Sequence, residues 1–79
     1  MDLNQVIEVF KELEEDSSVS KTIRLKVCGL REELENHNDL SLSVNKVLSE
    51  LEDLSGDVNL PAYVRTQFWH VTSILESLS

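Results

Sequence analysis

The chain has 79 residues, with seven Lys plus Arg against fifteen Asp plus Glu, and so carries a formal charge of -8. That sign repels phosphate backbones and anionic lipid, which disfavours nucleic acid and membrane surfaces as partners. A 41% hydrophobic and 28% charged composition with regular apolar spacing excludes disorder, and two glycines, one proline and few aromatics argue for helices over sheet.

Leu3, Val6, Ile7, Phe10 and Leu13 recur at helical spacing and predict a first helix from Leu3 to about Glu15, with Asp2 and Gln5 placed as a capping pair. The polar run Asp16 to Ser20 competes with helical hydrogen bonding and reads as a tight turn. A second helix runs from about Lys21 to Glu35, with Ile23, Val27, Leu30 and Leu34 on one stripe. Asn36, His37, Asn38 and Asp39 break the pattern, and Asp39 or Ser41 is placed to cap the third helix. That helix presents Val44, Val47, Leu48, Leu51 and Leu54 and stops at Ser55, where Gly56 is expected to take the left-handed conformation. Pro61 suits a helix start, and the fourth helix carries Val64, Phe68, Val71, Leu75 and Leu78.

Shifted by 41 residues, the chain matches itself: Val6 falls on Val47, Leu13 on Leu54, Asp16 on Asp57, Arg24 on Arg65, Leu34 on Leu75 and Glu35 on Glu76. Apolar character also returns, as in Phe10/Leu51, Val19/Leu60 and Val27/Phe68. This is read as an internal repeat of two helical hairpins, residues 1–38 and 39–79, within a single domain spanning 1–79. One hairpin cannot cover both of its own stripes, whereas two can share a core. Stacked repeats generally need about three units to be stable. The expected architecture is therefore all-α, a compact four-helix bundle of two similar hairpins, with homodimer formation open.

Two repeated constellations, Asp16 with Arg24 and Asp57 with Arg65, join each turn to the helix after it. A turn carboxylate accepts from free amides and an arginine one turn on can pair with it, so these are read as turn-stabilising pairs, the alternative being a ligand clamp. The acidic end of helix one, through Asp16, is expected to meet Lys21, Arg24 and Lys26 across the turn. No catalytic residue, metal ligand or cofactor site is assigned. Neither turn holds the glycine and glutamate of a calcium loop, His37 and His70 lack partners at ligand spacing, and no phosphate loop or nucleophile elbow occurs.

The surplus lies off the core stripe. At about 100 degrees per residue, Trp69 falls on one flank of helix four and Tyr63 and Ile74 on the other. Two readings stay open: these residues complete the core, or they form an interaction face in which Trp and Tyr act as anchors. Gly29, mid-helix at a cost near 1 kcal/mol, fits a site where something bulky meets bare backbone. Cys28 and Gly29 stand opposite Trp69 and His70 in the repeat, and there specific function is sought. The single cysteine, Cys28, forms no internal disulfide and is read as a small packed side chain in a reducing compartment. With no signal-like start and no apolar run near the roughly 18 residues of a membrane span, a soluble, cytoplasmic protein is expected.

The run Glu15 to Arg24, the run Asp57 to Trp69, the opening Leu3-Asn4-Gln5-Val6-Ile7-Glu8-Val9 and the Asn38-Asp39-Leu40 before helix three together resemble a small archaeal all-helical family, number zero-one-four-seven of the uncharacterised UPF series. The resemblance spans nearly the whole chain and implies an all-helical fold and an archaeal cytoplasm, with no assigned activity. Ser20 and Val58 stand where the family usually has proline. The turn-plus-arginine pattern is also similar to HEAT-type helical repeats, which implies protein binding, although two hairpins make no extended concave surface. The functional reading is a non-catalytic module that binds a protein partner or itself. The alternative is a bundle holding a small apolar ligand between its hairpins, in a cavity lined by Phe10, Phe68 and Leu51.

Overall fold

In the computed structural model, residues 3–57 and 59–78 are described. They form four helices, α1 (Leu3–Glu15), α2 (Lys21–Glu35), α3 (Leu40–Ser55) and α4 (Ala62–Leu78), so the spans fall where apolar spacing places them. The expected Asp2 cap lies outside the described residues. Each start has a local cause. Ser20 is the N-cap of α2, its hydroxyl accepting from the Ile23 amide at 3.3 Å, so serine in place of the family's usual proline still starts the helix. Asp39 caps α3 by accepting from the Leu42 amide at 3.3 Å, and the Pro61 carbonyl accepts from Val64 and Arg65 at the start of α4.

One stop differs from expectation. Gly56 has φ -80° and ψ -6°, right-handed helical geometry, because its amide bonds back to Asp53 and the Asp57 amide to Leu54, which tightens the end without a left-handed residue. At the end of α2, both the Asn36 amide and its side chain bond to the Glu32 carbonyl, and His37 Nδ1 lies 2.7 Å from the Leu34 carbonyl.

The helices run alternately up and down and close into a ring in which α1 packs on α2, α2 on α3, α3 on α4 and α4 back on α1. Across the diagonals, described Cα atoms of α1 and α3, or of α2 and α4, do not approach within 8 Å. The centre holds Val6, Phe10, Val27, Leu34, Val47 and Phe68, each 1% exposed or less, with further residues of the four stripes around them. Both turns on one end send an apolar residue inward, Val19 and Leu60, and these close that end of the core.

Closure explains one mismatch with the helical projection. Ile74, a flank residue placed among the interaction-face candidates with core completion as the other reading, is fully buried. Because α4 packs on both α1 and α3, its buried arc is wider than one stripe and takes in Ile74 beside Leu75. The space around Gly29 also differs from expectation: nothing lies within 4 Å of where its Cβ would stand, so nothing within the described residues occupies the bare backbone.

Phe68→Ala removes a fully buried ring and should lose about 3–5 kcal/mol, whereas its neighbour Trp69→Ala, at a 61% exposed position, should stay within about 0.5 kcal/mol in urea unfolding. Gly29→Ala should raise stability by about 0.5–1 kcal/mol, since the methyl meets open space and the helix gains propensity; a loss would show that the backbone there needs glycine.

Candidate functional site

The two turns at one end of the bundle use the same bonds. The Asp16 carboxylate accepts from the Ser18 amide and the Asp57 carboxylate from the Asn59 amide, each at 2.9 Å, while the Asp16 and Asp57 carbonyls accept from Val19 and Leu60. The arginines behave differently from one another. Arg65 donates through Nη2 to the Asp57 backbone carbonyl at 3.0 Å. Arg24 makes no ion pair within 4.0 Å among the described residues, its Nε is buried without a hydrogen-bond partner, and its charge acts on Asp16 only through space.

Asp16 is occupied by groups from elsewhere. Tyr63, in the first turn of α4, donates its hydroxyl to Asp16 Oδ2 at 2.5 Å and shares a short hydrogen bond with the Ser18 hydroxyl, which itself donates to Asp16. Tyr63 therefore ties the α1–α2 turn to the start of α4, at the seam that closes the ring. Its carboxylate partner pushes the phenol pKa up, while the Ser18 and Tyr63 hydroxyls hold Asp16 below the ordinary carboxylate range. In sequence only its aromatic character marks Tyr63 as an anchor, and no local signal shows that its hydroxyl faces a carboxylate 47 positions earlier.

The ion pair at the acidic end of α1 is made by Arg31, while Lys21 and Arg24 line the groove beside Glu14 without an ion pair within 4.0 Å among the described residues. Arg31 forks onto Glu14, Nε to Oε2 and Nη2 to Oε1, and bonds Glu35 one turn along its own helix. These hydrogen bonds lower the Glu14 pKa, against a smaller opposing effect of burial. Glu33 on α2 holds the α3 start in a similar way: it accepts from the Ser43 hydroxyl at 2.8 Å and Lys46 Nζ at 3.1 Å, and both lower its pKa. Ser43, 5% exposed, is the one buried polar residue among those described.

The five residues expected to form one interaction face separate onto different surfaces. Cys28 is half-buried in a groove of α1 and α2 beside Glu14, Lys21 and Arg24. Hydrogen bonding to Glu14 and burial push its thiol pKa up, so the reactive thiolate is disfavoured. Gly29 floors a groove between α2 and α3 rimmed by Lys26, Glu50 and Asp53. Tyr63 belongs to the turn cluster and Ile74 to the core. Trp69 stands apart from them, exposed on the outer seam of α3 and α4.

That seam holds a trough of about 540 Å³. Trp69, Thr72 and Glu76 rise along its α4 side at spacings of three and four, and Asn45, Ser49 and Glu52 along its α3 side. Leu48, half-buried against the core, lies within it. The trough carries two carboxylates and no lysine or arginine; the four other grooves described each contain at least one lysine. Phe10, Phe68 and Leu51, which the alternative reading places around an internal ligand cavity, fill the core at 0 to 1% exposure and line none of these grooves. Among the described residues no three His, Cys, Asp or Glu side chains gather as a metal site, and no helix is long and apolar enough to cross a membrane.

An all-α four-helix bundle with an aromatic trough on one seam is the class of protein defined by these features. The chain belongs to the uncharacterised protein family UPF0147, whose model matches residues 1–78. A UPF0147 protein of Archaeoglobus fulgidus is 36% identical over 77 residues, covering 98% of this chain and 88% of its own length. One from Methanosarcina mazei is also 36% identical, covering 96% and 83% respectively. The crystal structure of a UPF0147 protein from Thermoplasma acidophilum superposes with a TM-score of 0.90 at 35% identity, covering 96% of this chain and 91% of that one. A crystal structure of a protein of unknown function gives the same TM-score at 29% identity, covering 98% and 89%.

The carboxylates set a pH dependence. Glu14, Asp16 and Glu33 all have folded-state pKa values below their ordinary ones, so their contribution is present above the unfolded value of about 4 and is lost as pH falls through the folded values. The urea midpoint followed by circular dichroism should therefore fall as pH drops below about 4.5, and Glu14→Gln, Asp16→Asn and Glu33→Gln should each flatten that fall. An unchanged slope in all three variants would remove these groups as its source.

Proposed function

We propose that this protein is a non-catalytic protein interaction module of the archaeal cytoplasm that engages its partner through the trough between α3 and α4. The observation that carries the reading is the exposure of Trp69, 61% open to solvent at the edge of a groove that includes the half-buried Leu48. Trp is a costly residue to leave in water and a favoured interface anchor, and its neighbour Phe68 already supplies what the core needs from this part of α4. The polar groups elsewhere support a structural assignment: Asp16, Tyr63, Glu14, Arg31, Glu33 and Ser43 bond to one another between helices and turns. A reacting group needs a free lone pair or a poised proton, and theirs are engaged. The closest approach to a nucleophile, Cys28, has its thiolate disfavoured.

The reading is tested with a photo-crosslinking amino acid placed singly at Thr72, in the trough, and at Lys11, on the exposed face of α1. Irradiation in native archaeal extract should give a discrete protein adduct from position 72, suppressed by Trp69→Ala, and none from position 11. Equal or absent adducts at the two positions would overturn it.

A further inference from the structure

We infer that the furrow between α2 and α3 is a contact between two copies of this chain, in which Lys26 of each copy reaches Glu50 and Asp53 of the other across the bare backbone of Gly29. Glycine at position 29 has no cause within the described residues of one molecule. It lies mid-helix in α2, where alanine is favoured, its φ is not positive, and nothing stands within 4 Å of where a Cβ would be. What the glycine provides is access: helix backbone open to a close neighbour from outside the molecule. The two grooves beside it, of about 460 and 150 Å³, share Gly29 and Glu50 and make one furrow, with Leu30, Val47 and Leu54 as buried apolar floor.

The charges of the furrow are divided between its walls. Lys26 stands on the α2 wall, and Glu50 and Asp53, three apart and so on one face, stand on the α3 wall. None of the three makes an ion pair within 4.0 Å among the described residues. The other grooves described lack this pattern: both walls of the trough are acidic, Glu14 between α1 and α2 is held by Arg31, and Glu33 and Lys46 are paired with each other.

Such a division suits a second copy. A two-fold axis running along the furrow lays α2 of one molecule against α3 of the other, so each Lys26 meets the carboxylates of its partner and the pairing is made twice. The stem of Glu50 then crosses Gly29, where any side chain would stand in its way. Each molecule carries a charge of -8, but repulsion between distant charges is screened beyond about 8 Å at physiological salt, which leaves the close unlike pairs to decide the contact. None of these residues lines the Trp69 trough, so the contact and the proposed partner site are built from separate side chains.

Sedimentation equilibrium of the full chain up to about 500 μM should show a reversible monomer–dimer equilibrium. Lys26→Glu should sediment as a monomer, and so should Glu50→Lys/Asp53→Lys, because each variant then faces like charge across the axis. Mixed in equal amounts the two should form a heterodimer, since unlike charges are restored at both pairings although both variants remain net acidic. Gly29→Ala should weaken association about ten-fold while raising the melting temperature of the isolated chain. Circular dichroism melts confirm that each variant is folded.

An unaltered chain that stays monomeric over this range overturns the proposal. So does a dimer that survives Lys26→Glu, a mixture of the charge variants that stays monomeric, or a Gly29→Ala variant that associates unchanged. A dimer abolished by Trp69→Ala but kept in Lys26→Glu overturns it as well, by placing the contact at the trough.

Discussion

The structure depends on the seam where α4 returns to α1. Three of the four helix contacts join neighbours in sequence, and any helical hairpin chain could make them; the contact between α4 and α1 alone joins the first helix to the last. Without it part of the wide apolar arc of α4 would face water. Burial of apolar surface drives the seam shut, and the Tyr63 hydroxyl on Asp16 selects which turn meets which helix end. Non-directional attraction supplies the energy and a directional bond supplies the register.

Polar links also cross two of the remaining seams. Glu14 and Arg31 join α1 to α2, and Glu33 joins α2 to Ser43 and Lys46 on α3. Each pair lies partly exposed, where an isolated ion pair contributes little, but each fixes a long side chain against a neighbouring helix and disfavours a sliding register. Among the described residues the outer α3–α4 seam carries Trp69 and the trough, whereas α1–α2 and α2–α3 each carry an ion pair and α4–α1 the Tyr63–Asp16 hydrogen bond. The likeness of fold to the Thermoplasma protein shows that this arrangement of helices is common to relatives at about a third identity.

Helix positions are readable in the sequence because apolar spacing is local: Val6, Phe10 and Leu13 mark their face whatever they pack against. What spacing does not contain is the number of neighbours a helix will have. A single stripe drawn on α4 puts Ile74 on a flank, and only the closed ring gives that helix two partners. Side-chain partners are hidden for a related reason. Eight positions separate Arg24 from Asp16 and suggest a pair, whereas the groups that bind Asp16 include one from α4. Arg31 is unremarkable in sequence because its partner Glu14 lies on another helix. Gly29 suggests a bulky neighbour by its cost, and the structure leaves open space there. Trp69, for which the sequence leaves core and surface both open, is exposed because the arc of α4 that closes the ring lies on its other side.

Closure also limits how this architecture grows. In an open stack, each added hairpin covers the stripe left bare by the one before, so length is free to vary. Here the last helix has already covered the first, and a third hairpin would find no uncovered stripe to rest on. The route left to a larger assembly is exchange: two chains that straighten at the 36–39 connection and trade hairpins would rebuild every seam, each ring then composed of halves from two molecules. The connection is four residues between α2 and α3, and a short hinge is the kind that favours such an exchange when it straightens.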